Sequence, residues 1–288
     1  MNKDFEINNG VLIKYNGGGG IINIPEGVLE ICGKAFENCE TAEIINLPAS
    51  LQKINREAFW NCESLSSISV NPDNKYYADD NGVLFDKSFA LLVCYPFGRT
   101  AEKYIIPDTV IIIEQSAFGK SKYLQEIIIP DGVLKIESKA FKYCGKLKNI
   151  NMPESVLDIG EDAFKYCGAL KSFTLSSNIS EIKPALFKYC GSLESINIPG
   201  SINIIGDAAF KYCGSLKYAE IGDGVSKIKS DAFKYCGELD NIKIPASVTE
   251  IGGDSFKRCG KLNISGQAGS YAEKYARDRK FKFSVIEI

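Results

Sequence analysis

Two hydrophobic patterns return together along this chain at intervals of 23 residues. Phenylalanine falls at 36 and 59, then at 118, 141, 164, 187, 210, 233 and 256. Five residues before each stands an isoleucine, at 31, 54, 113, 136, 159, 182, 205, 228 and 251. Six residues after each comes a leucine, except in the first copy, where Ala42 takes its place. Ile150-Asn151-Met152, Ile196-Asn197-Ile198 and Ile242-Lys243-Ile244 then alternate with period two, which marks a strand with one buried face. Pro48, Pro130, Pro153, Pro199 and Pro245 end that strand, because proline cannot donate to a ladder. Val156 and Ile159 mark a second, shorter extended piece. Ala-Phe-x-x-Cys then reads as one helical turn, with Phe and Cys on the same inward side. A unit this small cannot bury its own apolar face, so the copies must stack into a solenoid with ladders of Ile, Phe, Cys and Leu. Burying one Phe is worth roughly 1.5–3 kcal/mol, which makes a nine-rung Phe ladder a principal source of cohesion.

The pattern predicts one solenoid domain over 1–288 in five segments. Residues 1–23 form an N-terminal cap: strand-like runs flank Asn8-Asn9-Gly10, a strong hairpin signal. Gly17-Gly18-Gly19-Gly20 is a turn rather than a phosphate loop, because a strand (Ile21-Ile22-Asn23-Ile24) follows instead of Gly-Lys-Ser/Thr and a helix. Residues 24–70 carry the first repeats, and 71–105 break the period. Within that insertion Asn81-Gly82-Val83-Leu84 copies Asn9-Gly10-Val11-Leu12, and Phe85 to Val93 reads as a hairpin around Lys87-Ser88. The insertion is either a structural splice or a lateral binding element. Residues 106–265 hold a seven-repeat array. Residues 266–288 form a C-terminal cap: Ser270-Tyr271-Ala272-Glu273 starts a helix ending near Arg279, and Phe281-Lys282-Phe283-Ser284-Val285 alternates as a last strand.

The pattern Leu-x-x-Ile-x-Ile-Pro-x-x-Val-x-x-Ile-x-x-x-Ala-Phe-x-x-Cys, over about residues 24–265, resembles the BspA-like bacterial leucine-rich repeats. Ser121 in place of Cys, and Ser176 and Gly222 in place of Pro, are local departures. The resemblance implies a curved right-handed solenoid with a parallel sheet along one face. It also implies a binding role, since surface members of the family are associated with adhesion to host proteins.

Composition narrows the chemistry. There is no histidine, which removes Ser-His-Asp and Cys-His nucleophilic sites and imidazole metal ligands. Eight of the ten cysteines lie three residues after a repeat Phe, where they read as a ladder of reduced core thiols. No Cys-x(2–4)-Cys pair is available to wrap a zinc ion, and no paired carboxylates stand out for acid–base work. The expected protein is not an enzyme and has no cofactor or metal. A net charge of −2 gives no electrostatic case for nucleic acid or an anionic membrane. No stretch approaches a membrane span. The first residues lack a secretory signal, which fits a cytoplasmic protein or a surface protein whose leader has been removed.

What remains is surface. Outward positions of the main sheet, among them Asn151, Asn197, Asn149 and Ser195, form a polar stripe that serves either as a ligand platform or as solvated sheet. The more unusual feature is the pair after each Phe: Lys142, Lys165, Lys188, Lys211 and Lys234 in one column, Tyr143, Tyr166, Tyr189, Tyr212 and Tyr235 in the next. Tyrosine is enriched at interfaces because its ring is large and stiff. Trp60, the only tryptophan, takes the Lys position in the second repeat and is a candidate hot spot. The expected function is non-enzymatic binding of a protein, a host or cell-surface protein among the candidates. A structural spacer and a carbohydrate-binding module are the alternatives.

Overall fold

A computed structural model describes residues 3–286 other than Asn38 and Arg56. Successive coils lay down two columns of parallel strands and, between them, a column of turns carrying the phenylalanines. The main sheet takes the Ile-x-Ile strand of each coil, as in Ser195–Ile198, Tyr218–Ile221 and Asn241–Lys243. Its register advances by one repeat per strand: Ser195 faces Tyr218, and Tyr218 faces Asn241. The second sheet is built from two-residue strands ending on the invariant isoleucine, such as Lys135–Ile136 and Asp158–Ile159. The solenoid with a parallel sheet is therefore as the periodicity and the family resemblance predict.

The Phe turns take a tighter form than the expected helical turn. Ala140, Lys142 and Cys144 each donate to the carbonyl three residues back, while Lys139, Phe141 and Tyr143 donate across to Glu161, Ala163 and Lys165 of the next coil. The alternation is possible because Lys139 and Tyr143 adopt φ of 61° and 67°, which turns every other N–H along the solenoid axis. The turn column is thus a third inter-coil ladder. Among the described residues the one α-helix is Tyr271–Arg279. Pro184 is tolerated in this column because its position supplies only a carbonyl, which accepts from Asp162.

The Phe ladder comes in two blocks rather than nine continuous rungs. Phe36 stacks on Phe59, and a second stack runs from Phe118 to Phe256 with centroids 5.0–5.6 Å apart. Each block opens on a tyrosine: Tyr15 lies 5.6 Å from Phe36, and Tyr95 lies 5.1 Å from Phe118. Their backbones dock alike, Tyr15 N–H on the Ala35 carbonyl and Tyr95 N–H on that of Ala117, both at 2.8 Å. The insertion thus repeats the opening cap. In both, an Asn-Gly pair with positive φ at both residues (Asn9 and Gly10, Asn81 and Gly82) closes an antiparallel hairpin. A third strand, Leu91–Cys94, then pairs with Ile112–Ile113 and starts the second array. Leu84 and Cys94 pack into the N-terminal core, whereas Val83, Phe85 and Leu92 pack into the C-terminal one. At the far end the helix lays Tyr275 edge-on against Phe256, 5.9 Å away. Ser270 caps the helix by accepting from the Glu273 N–H, while Glu273 reaches back to the Gly269 N–H, one residue before the position the capping box predicts.

Both sheets pause around Phe173. The main sheet stops at Asn149–Ile150 and resumes at Ser195–Ile198; the second stops at Asp158–Ile159 and resumes at Glu181–Ile182. Phe173 stands where neighbouring coils carry Ile150 and Ile196, and its ring fits between Phe164 (4.9 Å) and Phe187 (4.8 Å). The larger ring holds this coil out of register. Side chains replace the missing backbone bonds: Ser176 donates to the Val156 carbonyl, and Asn178 to that of Glu154.

All ten cysteines are free, and the repeat thiols do more than fill space. Each buried one donates to the carbonyl of the preceding coil's Phe: Cys144 to Phe118 at 3.1 Å, Cys167 to Phe141 at 3.2 Å, and so on to Cys259 with Phe233 at 3.0 Å. Burial pushes the Cys94, Cys144 and Cys190 thiols up to about 12, so at neutral pH they carry no reactive thiolate. Iodoacetamide at pH 8 is expected to label only the half-buried Cys32 and Cys39 in the native protein, and all ten thiols after unfolding, counted by intact mass. Fast native labelling of Cys144 would contradict the ladder.

Candidate interaction surface

The turn column sets where the Lys–Tyr pairs go. With Phe and Cys committed inward, the two residues between them must face sideways or out. Each tyrosine sits in the left-handed region, φ 64° to 67°, and its N–H reaches the carbonyl of the next coil's lysine at 2.9–3.0 Å. One coil spacing therefore becomes one ring spacing. Tyr143, Tyr166, Tyr189, Tyr212 and Tyr235 stack face to face with centroids 4.4–4.6 Å apart and planes within 9° of parallel. Tyr143 and Tyr235 are exposed at the ends, and the three between are half-buried. The faces of those three inner rings are covered by their neighbours, so the column offers solvent its edges rather than open aromatic planes.

The lysines run alongside. Each places its ammonium 5.4–6.0 Å from the ring of the tyrosine that follows it. Mutual repulsion along the column is relieved by a set of residues that the sequence reading missed, the aspartates two positions before Phe. Asp162 takes Lys142 at 2.7 Å and Lys165 at 3.0 Å; Asp231 takes Lys211 at 2.6 Å and Lys234 at 3.0 Å; Asp254 takes Lys234 and Lys257. Burial alone would raise the Asp162 carboxyl, but the hydrogen bonds from Lys142 and Lys165 outweigh it and hold it below the usual carboxylate range. The i, i+3 spacing of Asp162 to Lys165 and Asp231 to Lys234 was the available signal. The column is a zipper of opposite charges with a tyrosine rail.

Trp60 stands apart from this surface. It is half-buried at the junction of the two arrays, edge-on to Phe97 at 6.0 Å, with the Lys120 ammonium 5.1 Å above its ring. It rests on Gly119, where an added Cβ would come within 3.0 Å of the indole. Trp60, the candidate hot spot of the second repeat, packs here as a wedge, because the chain brings Phe97 and Gly119 against it. Tyr218, 43% exposed, lies on the main-sheet face and bonds Glu220 at 3.1 Å. Polar side chains of that face largely satisfy one another or the backbone: Asn46 bonds Asn23, and Asn151 both donates to the Ile129 carbonyl and accepts from its N–H. Among the described residues no group of three or more His, Cys, Asp or Glu side chains is placed to hold a metal ion. No helix among them is long and apolar enough to cross a membrane.

The comparisons agree with this architecture. A family model described as a BspA type leucine-rich repeat region, with six copies, matches residues 20–81, 95–217 and 203–266. A leucine-rich repeat protein from Eubacterium ventriosum ATCC 27560 is similar at 27% identity with a TM-score of 0.80, over 83% of this chain. That match covers 64% of the Eubacterium chain, so the present chain spans less than two thirds of its length. The pneumococcal vaccine antigen PcpA shares the fold at 18% identity and a TM-score of 0.60, over 93% of this chain and 68% of its own. No curated protein matches the sequence. The family model accounts for well over half of the chain, and the protein belongs to the BspA-type leucine-rich repeat family.

Proposed function

We propose that the protein is a non-enzymatic, adhesin-like binding module that recognises another protein through its tyrosine–lysine face. The observation that carries this reading is the conformation of the tyrosines. A non-glycine residue in the left-handed region costs roughly 1–2 kcal/mol, and one stacked aromatic pair returns about 0.5–1.5 kcal/mol. At the middle of those ranges, five such tyrosines against four stacks leave the column unfavourable by about 3–4 kcal/mol. Asn61 holds the same position in the second repeat at φ 70°, with a residue type better suited to that backbone. Backbone fit would therefore favour asparagine here, whereas tyrosine is the residue type enriched where interfaces form. The closed ring faces weigh against carbohydrate stacking, which needs an open aromatic plane.

The test is a binding panel. The immobilised protein is presented with purified extracellular-matrix and serum glycoproteins and, separately, with soluble glycans. Saturable binding to at least one protein and to no glycan is expected. Binding to glycans alone, or to nothing, would overturn the reading, the latter in favour of a structural spacer.

A further inference from the structure

Lys188 breaks the charge zipper. Lys142, Lys165, Lys211 and Lys234 each meet an aspartate from their own coil, three residues back, or from the next coil, twenty residues on. For Lys188 those two positions are Ala185 and Ala208, and no carboxylate lies within ion-pair distance of it among the described residues. The residue is half-buried, and its ammonium lies 5.4 Å from the ring of Tyr189, the middle member of the five-tyrosine stack.

We infer that Lys188, framed by Ala185, Ala208, Tyr166, Tyr189 and Tyr212, is an anion subsite that receives a side-chain carboxylate from an acidic segment of the protein partner. The inference rests on the reading of the tyrosine–lysine face as the recognition surface and gives that surface a chemical specificity. Ala185 and Ala208 hold φ of 54° and 55°, a region that aspartate tolerates better than alanine. Asp162 and Asp231 occupy the same position in neighbouring coils at 58° and 59°. Aspartate at 185 would thus suit both the backbone and the adjacent ammonium, and the chain has alanine there. A break with a local rule that has no compensation inside the fold points outward. Burial, and then the like charges of Lys165 and Lys211, lower the pKa of Lys188, although the more distant Asp162 and Asp231 oppose them. An arriving carboxylate supplies the missing counter-charge. The flanking lysines are already paired, so the open position is a single one.

The experiment titrates octaglutamate peptide into the protein carrying ¹³C-labelled lysine and follows the Lys188 Cε resonance, with octaglutamine as the neutral control. The expected result is a saturable shift at Lys188 with octaglutamate alone. Ala185→Asp should weaken it about tenfold or more while leaving the melting temperature unchanged or raised, since it fills the site from within. Lys188→Met, judged by loss of octaglutamate affinity at the neighbouring lysines, provides a second variant that leaves the backbone alone. No saturable shift, equal response to octaglutamine, or unchanged affinity in either variant would overturn the subsite. The titration uses no natural partner. A failed subsite with partner binding still lost on tyrosine replacement therefore removes Lys188's role and leaves the face standing.

Discussion

Replacing Phe187 with alanine is expected to destabilise the protein by about 3–5 kcal/mol, the range for emptying a large aromatic site in a packed core, and to split its unfolding in two. Phe187 is fully buried and touches three rings: Phe164 at 5.6 Å, Phe210 at 5.4 Å and Phe173 at 4.8 Å. Its position matters more than its area. In a solenoid, stability is a sum of coil terms and nearest-neighbour terms, so weakening one interface uncouples what lies on either side. Around Phe173 both sheets are interrupted, and the coils are joined chiefly by the turn ladder and its rings. Urea unfolding followed by circular dichroism and by the fluorescence of Trp60, the single tryptophan, separates the two halves. The two probes should coincide in the parent protein and diverge in Phe187→Ala. Phe233→Ala makes a similar hole where Tyr218–Ile221 and Asn241–Lys243 remain paired, and should keep the probes together. A loss below about 1 kcal/mol at Phe187 would mean that the ring stack is not a principal source of cohesion.

The architecture was legible because the repeat writes it nine times. Isoleucine five before Phe and leucine six after it fix what faces inward, and each proline fixes where a strand ends. The opening hairpin was readable from Asn8-Asn9-Gly10, and the second cap from its copy at Asn81-Gly82-Val83-Leu84 and the alternation around Lys87-Ser88. Three things were not readable. The turn around Phe141 has the i, i+3 spacing of a helix, and only the backbone shows that Lys139 and Tyr143 flip to left-handed φ and convert it into a ladder. The setting of Trp60 was not legible, because Phe97 lies about 40 positions further on inside the aperiodic insertion and Gly119 lies about 60 positions on, beyond it. The pause at Phe173 follows from one large side chain at an isoleucine position, a volume effect that a hydrophobic pattern does not register. Of the candidate surface, the two columns were legible, but their partners were not. The aspartates that pair the lysines come partly from the next coil, and the stacking of the tyrosines depends on a ring spacing of 4.4–4.6 Å that the coil repeat dictates.

Joint replacement of Tyr166, Tyr189 and Tyr212 by asparagine is expected to abolish recognition while leaving the solenoid folded. Asparagine is well suited to the left-handed backbone at these positions, and Asn61 already shows it there, so the relief of backbone strain offsets the lost stacking. The net change in stability should stay within about 2 kcal/mol. The inward Phe and Cys ladders are untouched. The surface change is large, because three adjacent interface rings are removed from the centre of the stripe, and hot-spot aromatics of this kind each carry about 2 kcal/mol or more. Affinity for the protein ligand identified in the binding panel should therefore fall at least thirtyfold, measured by interferometry on the parent and the triple variant side by side, with circular dichroism and the urea midpoint as folding controls. A thirtyfold or greater loss with the urea midpoint preserved is the result predicted by a tyrosine–lysine recognition face. Unchanged affinity in a folded variant would contradict it and place recognition elsewhere on the solenoid.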